Sequence, residues 1–102
     1  MKSVTAARLR ESAKLHPLAR SGLNRWEQIV RAACWERPQD VKQSFRSADF
    51  VRVGSGRQVV VFNVGGIQFR LVVAVHYDRQ KVFVLRFYPH HEYSRNDWKL
   101  EL

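Results

Sequence analysis

The chain has 102 residues, 45% of them hydrophobic and 12% aromatic, and its 18 Lys and Arg against 9 Asp and Glu leave a formal charge of +9. That size and apolar content exclude a disordered chain and point to one folding unit, residues 1–102, with a core of its own. The single Cys excludes an intrachain disulfide and a Cys-rich zinc site, and the longest apolar runs, 59–62 and 71–75, are far short of the ~20 residues that cross a bilayer. Arg8, Arg10 and Lys14 follow the start with no apolar run among them, so no signal peptide, no membrane contact and a reducing cytoplasm are expected.

The first half reads as helical. Thr5 is placed to cap a helix on which Ala6, Leu9 and Ala13 recur at helical spacing, and His16-Pro17 stops it, because proline disfavours helix at the residue before it. A second helix over 18–34 presents Leu23, Trp26, Val30 and Ala33 on one face, with Arg20, Asn24, Arg25, Gln28 and Arg31 mainly elsewhere. Trp26 and Trp35 belong to the core on this reading, and Cys34 to the buried small hydrophobes. Pro38 suits the first turn of a short third helix, 38–45.

From Ala48 the period changes to two. Strands are expected over 48–53, 58–64, 67–76 and 81–88, with turns at Gly54-Ser55-Gly56-Arg57, Gly65-Gly66 and Tyr77-Asp78-Arg79-Gln80. In 67–76, Ile67, Phe69, Leu71, Val73 and Val75 form an apolar face that must meet the helices. Gln68, Arg70, Val72, Ala74 and His76 form the other. The fold class is α+β, with N-terminal helices packed on one face of an antiparallel sheet.

Charge is spread evenly, +5 over residues 1–50 and +4 over 51–102, and thirteen of the eighteen basic residues are Arg. A basic surface rich in arginine forks suits a polyanion, RNA above all. Arg70 stands out because it lies mid-strand on the face away from the core. Pro89-His90-His91-Glu92-Tyr93 follows the last strand, and pairing about the 77–80 turn returns it towards Arg70. A one-residue bulge would decide whether Arg70 shares its face with Arg86 or with Phe87.

No metal site is expected: His90 and His91 diverge from an extended chain, and His76 lies at the far end of its strand. No Ser sits in a G-x-S-x-G elbow, and Gly65-Gly66 joins strands with no Gly-Lys-Ser/Thr behind it. RNA cleavage needs less. The 2′-OH of the substrate is the nucleophile, so the protein supplies a proton acceptor, a proton donor and positive charge. Arg70, His90, Glu92 and Tyr93 contain all three.

Val61-Phe62-Asn63-Val64-Gly65-Gly66, then Arg70-Leu71-Val72, Tyr77 and His90-x-Glu92-Tyr93, resembles the HigB-type toxins of bacterial type II toxin–antitoxin systems. The likeness extends through Leu9-Arg10-Glu11, His16-Pro17, Arg37-Pro38 and Ser47-Ala48-Asp49-Phe50, over about residues 4–94. It implies a RelE-like fold and an mRNA interferase that needs no cofactor and cuts mRNA in the ribosomal A site. By the same resemblance Arg70 stabilises the scissile phosphate, and His90, Glu92 and Tyr93 complete the catalytic set. Asn63 matches the Asn before the Gly pair, where turn capping and RNA contact both stay open, and Arg57, Arg86 and His91 are expected as further RNA contacts. Pro89 and Ser94 depart from the family's T-H-x-E-Y-D, in which Thr and Asp occupy those positions. The implied partners are mRNA and the ribosome, together with a HigA-type helix-turn-helix antitoxin through which alone promoter DNA is met.

Overall fold

The computed structural model describes residues 1–66 and 68–102. In chain order its elements are β1 (Ser3–Val4), α1 (Ala7–Leu15), a 3-10 turn (Pro17–Ala19), α2 (Arg20–Ala32), α3 (Pro38–Ser44), β2 (Asp49–Arg52), β3 (Gln58–Val64), β4 (Phe69–His76), β5 (Lys81–Pro89), α4 (His90–Tyr93) and α5 (Trp98–Glu101). The strands among the described residues form one sheet in the order β1-β5-β4-β3-β2. Neighbours from β2 to β5 are antiparallel. This is the α+β arrangement expected, with the helices over one face.

The principal core forms where the helix stripe meets that face. Leu23, Trp26 and Val30 of α2 and Val41 of α3 are buried with Val60, Phe62 and Val64 of β3 and Phe69, Leu71 and Val73 of β4. Phe62 is the hub of the aromatic contacts. Trp26 meets it edge-on at 5.5 Å, Phe45 edge-on at 4.9 Å, and Trp35 stacks on it at 6.3 Å. Such pairs add to the area they bury.

The alternate residues Val59 and Val61 of β3 and Val72 of β4 are also buried, together with Val53 and Trp98. The central strands are therefore covered on both faces, which explains the unbroken apolar run at 59–62. The second cover comes from α5, which carries no periodic signal in its four residues. One face of the sheet is thus only partly open.

Several local expectations change. Thr5 does not cap α1, whose N-cap is Ala6. Its hydroxyl instead accepts the Val84 N–H at 2.8 Å, because the chain leaves β1 alongside β5. β1 pairs parallel with Lys81 and Val82, and two residues are too few to show a period. The second helix begins as the 3-10 turn and ends at Ala32, where Ala33 turns to extended backbone. Cys34 is consequently exposed, a correction to its placement in the core. β4 begins at Phe69, and the Ile67 placed on its apolar face lies outside the described residues.

The β4–β5 register has the bulge on which the reading of Arg70 turned. Val73 pairs with Val84 but Val72 with Arg86, so Leu85 is the extra residue. Arg70 then pairs with Tyr88 and Leu71 with Phe87. Paired residues project to the same face, so Arg70 shares its face with Arg86 and Tyr88, and Phe87 joins the helical side.

Candidate functional site

Two strand registers and one short helix build the site. Asn63 pairs with Arg70 across β3–β4, and Arg70 pairs with Tyr88 across β4–β5, which places an amide, a guanidinium and a phenol in one row. The next row holds Asp49, Val61, Val72 and Arg86. These rows lie on the face of the sheet opposite the N-terminal helices.

α4 follows β5 directly and carries His90, His91, Glu92 and Tyr93 on consecutive positions. The His90 backbone N–H donates to the Gln68 carbonyl at 2.8 Å, which fastens the start of α4 beside the start of β4. Ser94 closes its turn, donating from Oγ to the His90 carbonyl at 2.9 Å. Pro89 ends β5 opposite Phe69, where the strand passes into α4. The departures from the family pattern thus fall on the two ends of α4.

Arg70 is half-buried. Its Nη1 donates to the Phe69 carbonyl at 3.0 Å, and its Cζ lies 5.8 Å from the centroid of the Tyr93 ring. The electron-rich face of a phenol favours a cation at this range. Burial pushes the Tyr93 hydroxyl above its usual range. The Asp49 carboxylate adds to that rise and Arg70 opposes it. Tyr93 is therefore a neutral phenol at physiological pH, a donor and a stacking surface rather than a general base. Tyr88 is raised likewise by burial, with Arg86 opposing the rise through its charge and a hydrogen bond.

The side chains of His90, His91 and Glu92 are exposed, and Glu92 lines a shallow cleft with Tyr88, Arg95, Asp97, Trp98 and Glu101. Imidazoles and a carboxylate accessible to substrate at the mouth of a row containing a guanidinium can exchange protons with a bound phosphodiester. Arg57 stands apart. It precedes β3 at the end away from Asn63, six residues or roughly 20 Å along an extended strand. Among the described residues, no group of three His, Cys, Asp or Glu is arranged to hold a metal ion.

The sequence reading missed two members of this site. Tyr88 was hidden by the bulge, which only strand pairing reveals. Trp98 stacks on Tyr93 with ring centroids 5.2 Å apart and planes 24° apart, and it lies in a segment with no helical or strand period.

The HigB_toxin family model, described as the RelE-like toxic component of a toxin-antitoxin system, matches residues 19–96. The chain is also 27% identical over 94 residues to the mRNA interferase toxin HigB of Escherichia coli (strain K12), covering 92% of this chain and 88% of that protein. The mRNA interferase HigB proteins of Escherichia coli O157:H7 and Shigella flexneri are similar to the same extent.

Proposed function

We propose, because this chain belongs to the HigB family of RelE-like toxic components of toxin–antitoxin systems, that it is an endoribonuclease that cuts mRNA and so halts translation. Its relatives are named mRNA interferases. The observation that carries the reading is Arg70, a half-buried guanidinium in one row with Asn63 and Tyr88 and beside the Tyr93 ring. Partial burial weakens the competition from water and strengthens a charge-assisted contact to phosphate.

The reaction requires no nucleophile from the protein. A ribose 2′-OH attacks the adjacent phosphorus, its proton passes to an acceptor on α4, and the P–O5′ bond breaks as the leaving oxygen takes a proton from a donor. The products are a 2′,3′-cyclic phosphate and a 5′-hydroxyl. Arg70 stabilises the charge that grows on the phosphorane oxygens. His90 and Glu92 supply the acceptor and the donor, while Tyr93 and Tyr88 present rings and hydroxyls to a flanking nucleotide. Asn63, Arg86 and His91 border the row and hold the RNA strand, and Arg57 meets RNA at the other end of the sheet.

This chemistry calls for neither metal nor cofactor, because no water has to be activated. The substrate is mRNA held in the ribosomal A site, in the cytoplasm. The toxin's partner is a HigA-type helix-turn-helix antitoxin, which carries it to promoter DNA.

Brief expression followed by mapping of mRNA 5′ ends tests the reading. New ends and growth arrest are expected from the wild type, and neither from Arg70→Ala or His90→Ala with the fold intact. Cleavage by the purified chain on ribosomes should be unchanged by a chelator that removes transition metals and leaves the ribosomal Mg²⁺ in place. Salt-sensitive RNA binding without new 5′ ends would reveal a binding module instead, and an Arg70→Ala variant that cuts at the wild-type rate would remove Arg70 from the chemistry.

A further inference from the structure

We propose that Trp98 is a positioning residue for the cleavage reaction: by stacking on Tyr93 it fixes the ring against which the Arg70 guanidinium packs. The proposal rests on the nuclease reading above and adds to it a residue outside the 19–96 stretch that the family model matches.

Trp98 is 3% exposed and sits in the second core with Val53, Val59, Val61 and Val72. Its ring is nearly parallel to that of Tyr93, with 5.2 Å between centroids, and tilts against Tyr88 at 6.2 Å. Its indole N–H donates to the Tyr93 carbonyl at 3.1 Å, so one side chain holds both the ring and the backbone of Tyr93. The Tyr93 ring then meets the Arg70 guanidinium at 5.8 Å. Trp98, Tyr93 and Arg70 form a continuous stack from the core to the proposed phosphate site.

The segment that carries Trp98 is anchored independently of the stack. The Gly54 N–H donates to the Lys99 carbonyl at 2.8 Å. A side chain at Gly54 would bring a Cβ to 3.1 Å from that oxygen, so the β2–β3 turn and α5 meet where only glycine fits without a shift. Lys99 places its ammonium 5.8 Å from the centre of the Trp98 ring. α4 has only four residues and the other three of its side chains are exposed, so they give Tyr93 little to pack against. A misplacement of about 1 Å in such a site costs on the order of a hundredfold in rate.

Two substitutions separate positioning from mere packing. Trp98→Phe keeps a flat ring over Tyr93 and loses the indole N–H, and Trp98→Leu keeps apolar cover over the valines and loses the flat face. Cleavage of a defined mRNA on ribosomes gives kcat and KM for each full-length variant. Carbon-13 NMR of the tyrosine rings follows the ionisation of Tyr93. For a folded Trp98→Leu, kcat is expected to fall about tenfold or more with KM little changed, and the Tyr93 ionisation to move down as its ring loses cover. Trp98→Phe is expected to stay close to wild type in both. Should Trp98→Leu fail to fold, Trp98→Met provides the same comparison with a more adaptable side chain. A folded Trp98→Leu or Trp98→Met whose kcat stays at the wild-type level, or whose Tyr93 ionisation does not move, overturns the proposal. A wild-type chain that leaves mRNA intact overturns the nuclease reading instead, a different result because the variants are judged against an active wild type.

Discussion

Arg70 combines two properties that a lysine would not. A planar guanidinium fork can take phosphate oxygens in pairs, and its Cζ lies over the Tyr93 ring, 5.8 Å from the centroid. Arg70→Lys keeps the charge and loses both geometries. Single-turnover cleavage should fall at least about tenfold, with a much smaller change in RNA affinity. Tyr93 makes a prediction of a different kind. Burial raises its pKa in the folded chain above the usual 10.0, so between those two values the native state holds a proton that the unfolded state has lost. Stability from this group is therefore intact below pH 10 and falls as pH rises above it. The drop in denaturation midpoint between pH 9 and 11 should be smaller in Tyr93→Phe than in the wild type, and equal drops would show that the phenol is not desolvated.

At the scale of elements, α2 is positioned by a close approach. A Cβ on Gly22 would lie 2.9 Å from Val64 Cγ1 and 3.1 Å from the Gly65 backbone nitrogen. Gly22→Ala improves intrinsic helix propensity by ~1 kcal/mol, yet the clash is with a short buried side chain and with backbone, neither of which swings aside. The clash should win, lowering stability by about 1–3 kcal/mol as overpacking does. Urea unfolding of the variant checks the sign. The turn that α2 presses on follows Asn63, so the same displacement reaches the row that contains Arg70 and should lower cleavage as well. The bulge at Leu85 matters in the same way. It admits one extra residue, and that residue brings Arg86 and Tyr88 to the face of Arg70.

For the whole molecule, the +9 charge acts locally. The radius of gyration is 12.7 Å, longer than the Debye length of about 8 Å at physiological ionic strength. Basic residues on the helical layer are therefore largely screened from a strand lying on the Arg70 face. Binding of a short single-stranded RNA should show a salt dependence equivalent to far fewer than the eighteen basic residues. Arg70→Ala should reduce the slope of log K against log salt by about one contact, and Arg20→Ala on α2 should leave it unchanged. Titration at several salt concentrations distinguishes this from a uniformly basic surface, for which both variants would shift the slope alike. Family membership also implies a protein partner, since a toxic component of a toxin–antitoxin system has an antitoxin to meet.

The α+β class, the helical stripe of Leu23, Trp26 and Val30, the Gly65-Gly66 turn signal and the family, with its F-N-x-G-G and H-x-E-Y blocks, are all legible as local patterns along the chain. Those features follow from neighbours along the chain, where a period of 2 or 3.6 or a positive-φ turn leaves a direct mark. Tertiary structure alone decided the face shared by Arg70, Arg86 and Tyr88, because a single bulged residue inverts a strand and no composition announces it. It also decided the parallel edge strand at Ser3–Val4, the exposure of Cys34 and the closure of the second face by Trp98. Each of these depends on partners far away in sequence, and elements of two to four residues are too short to show a period of their own.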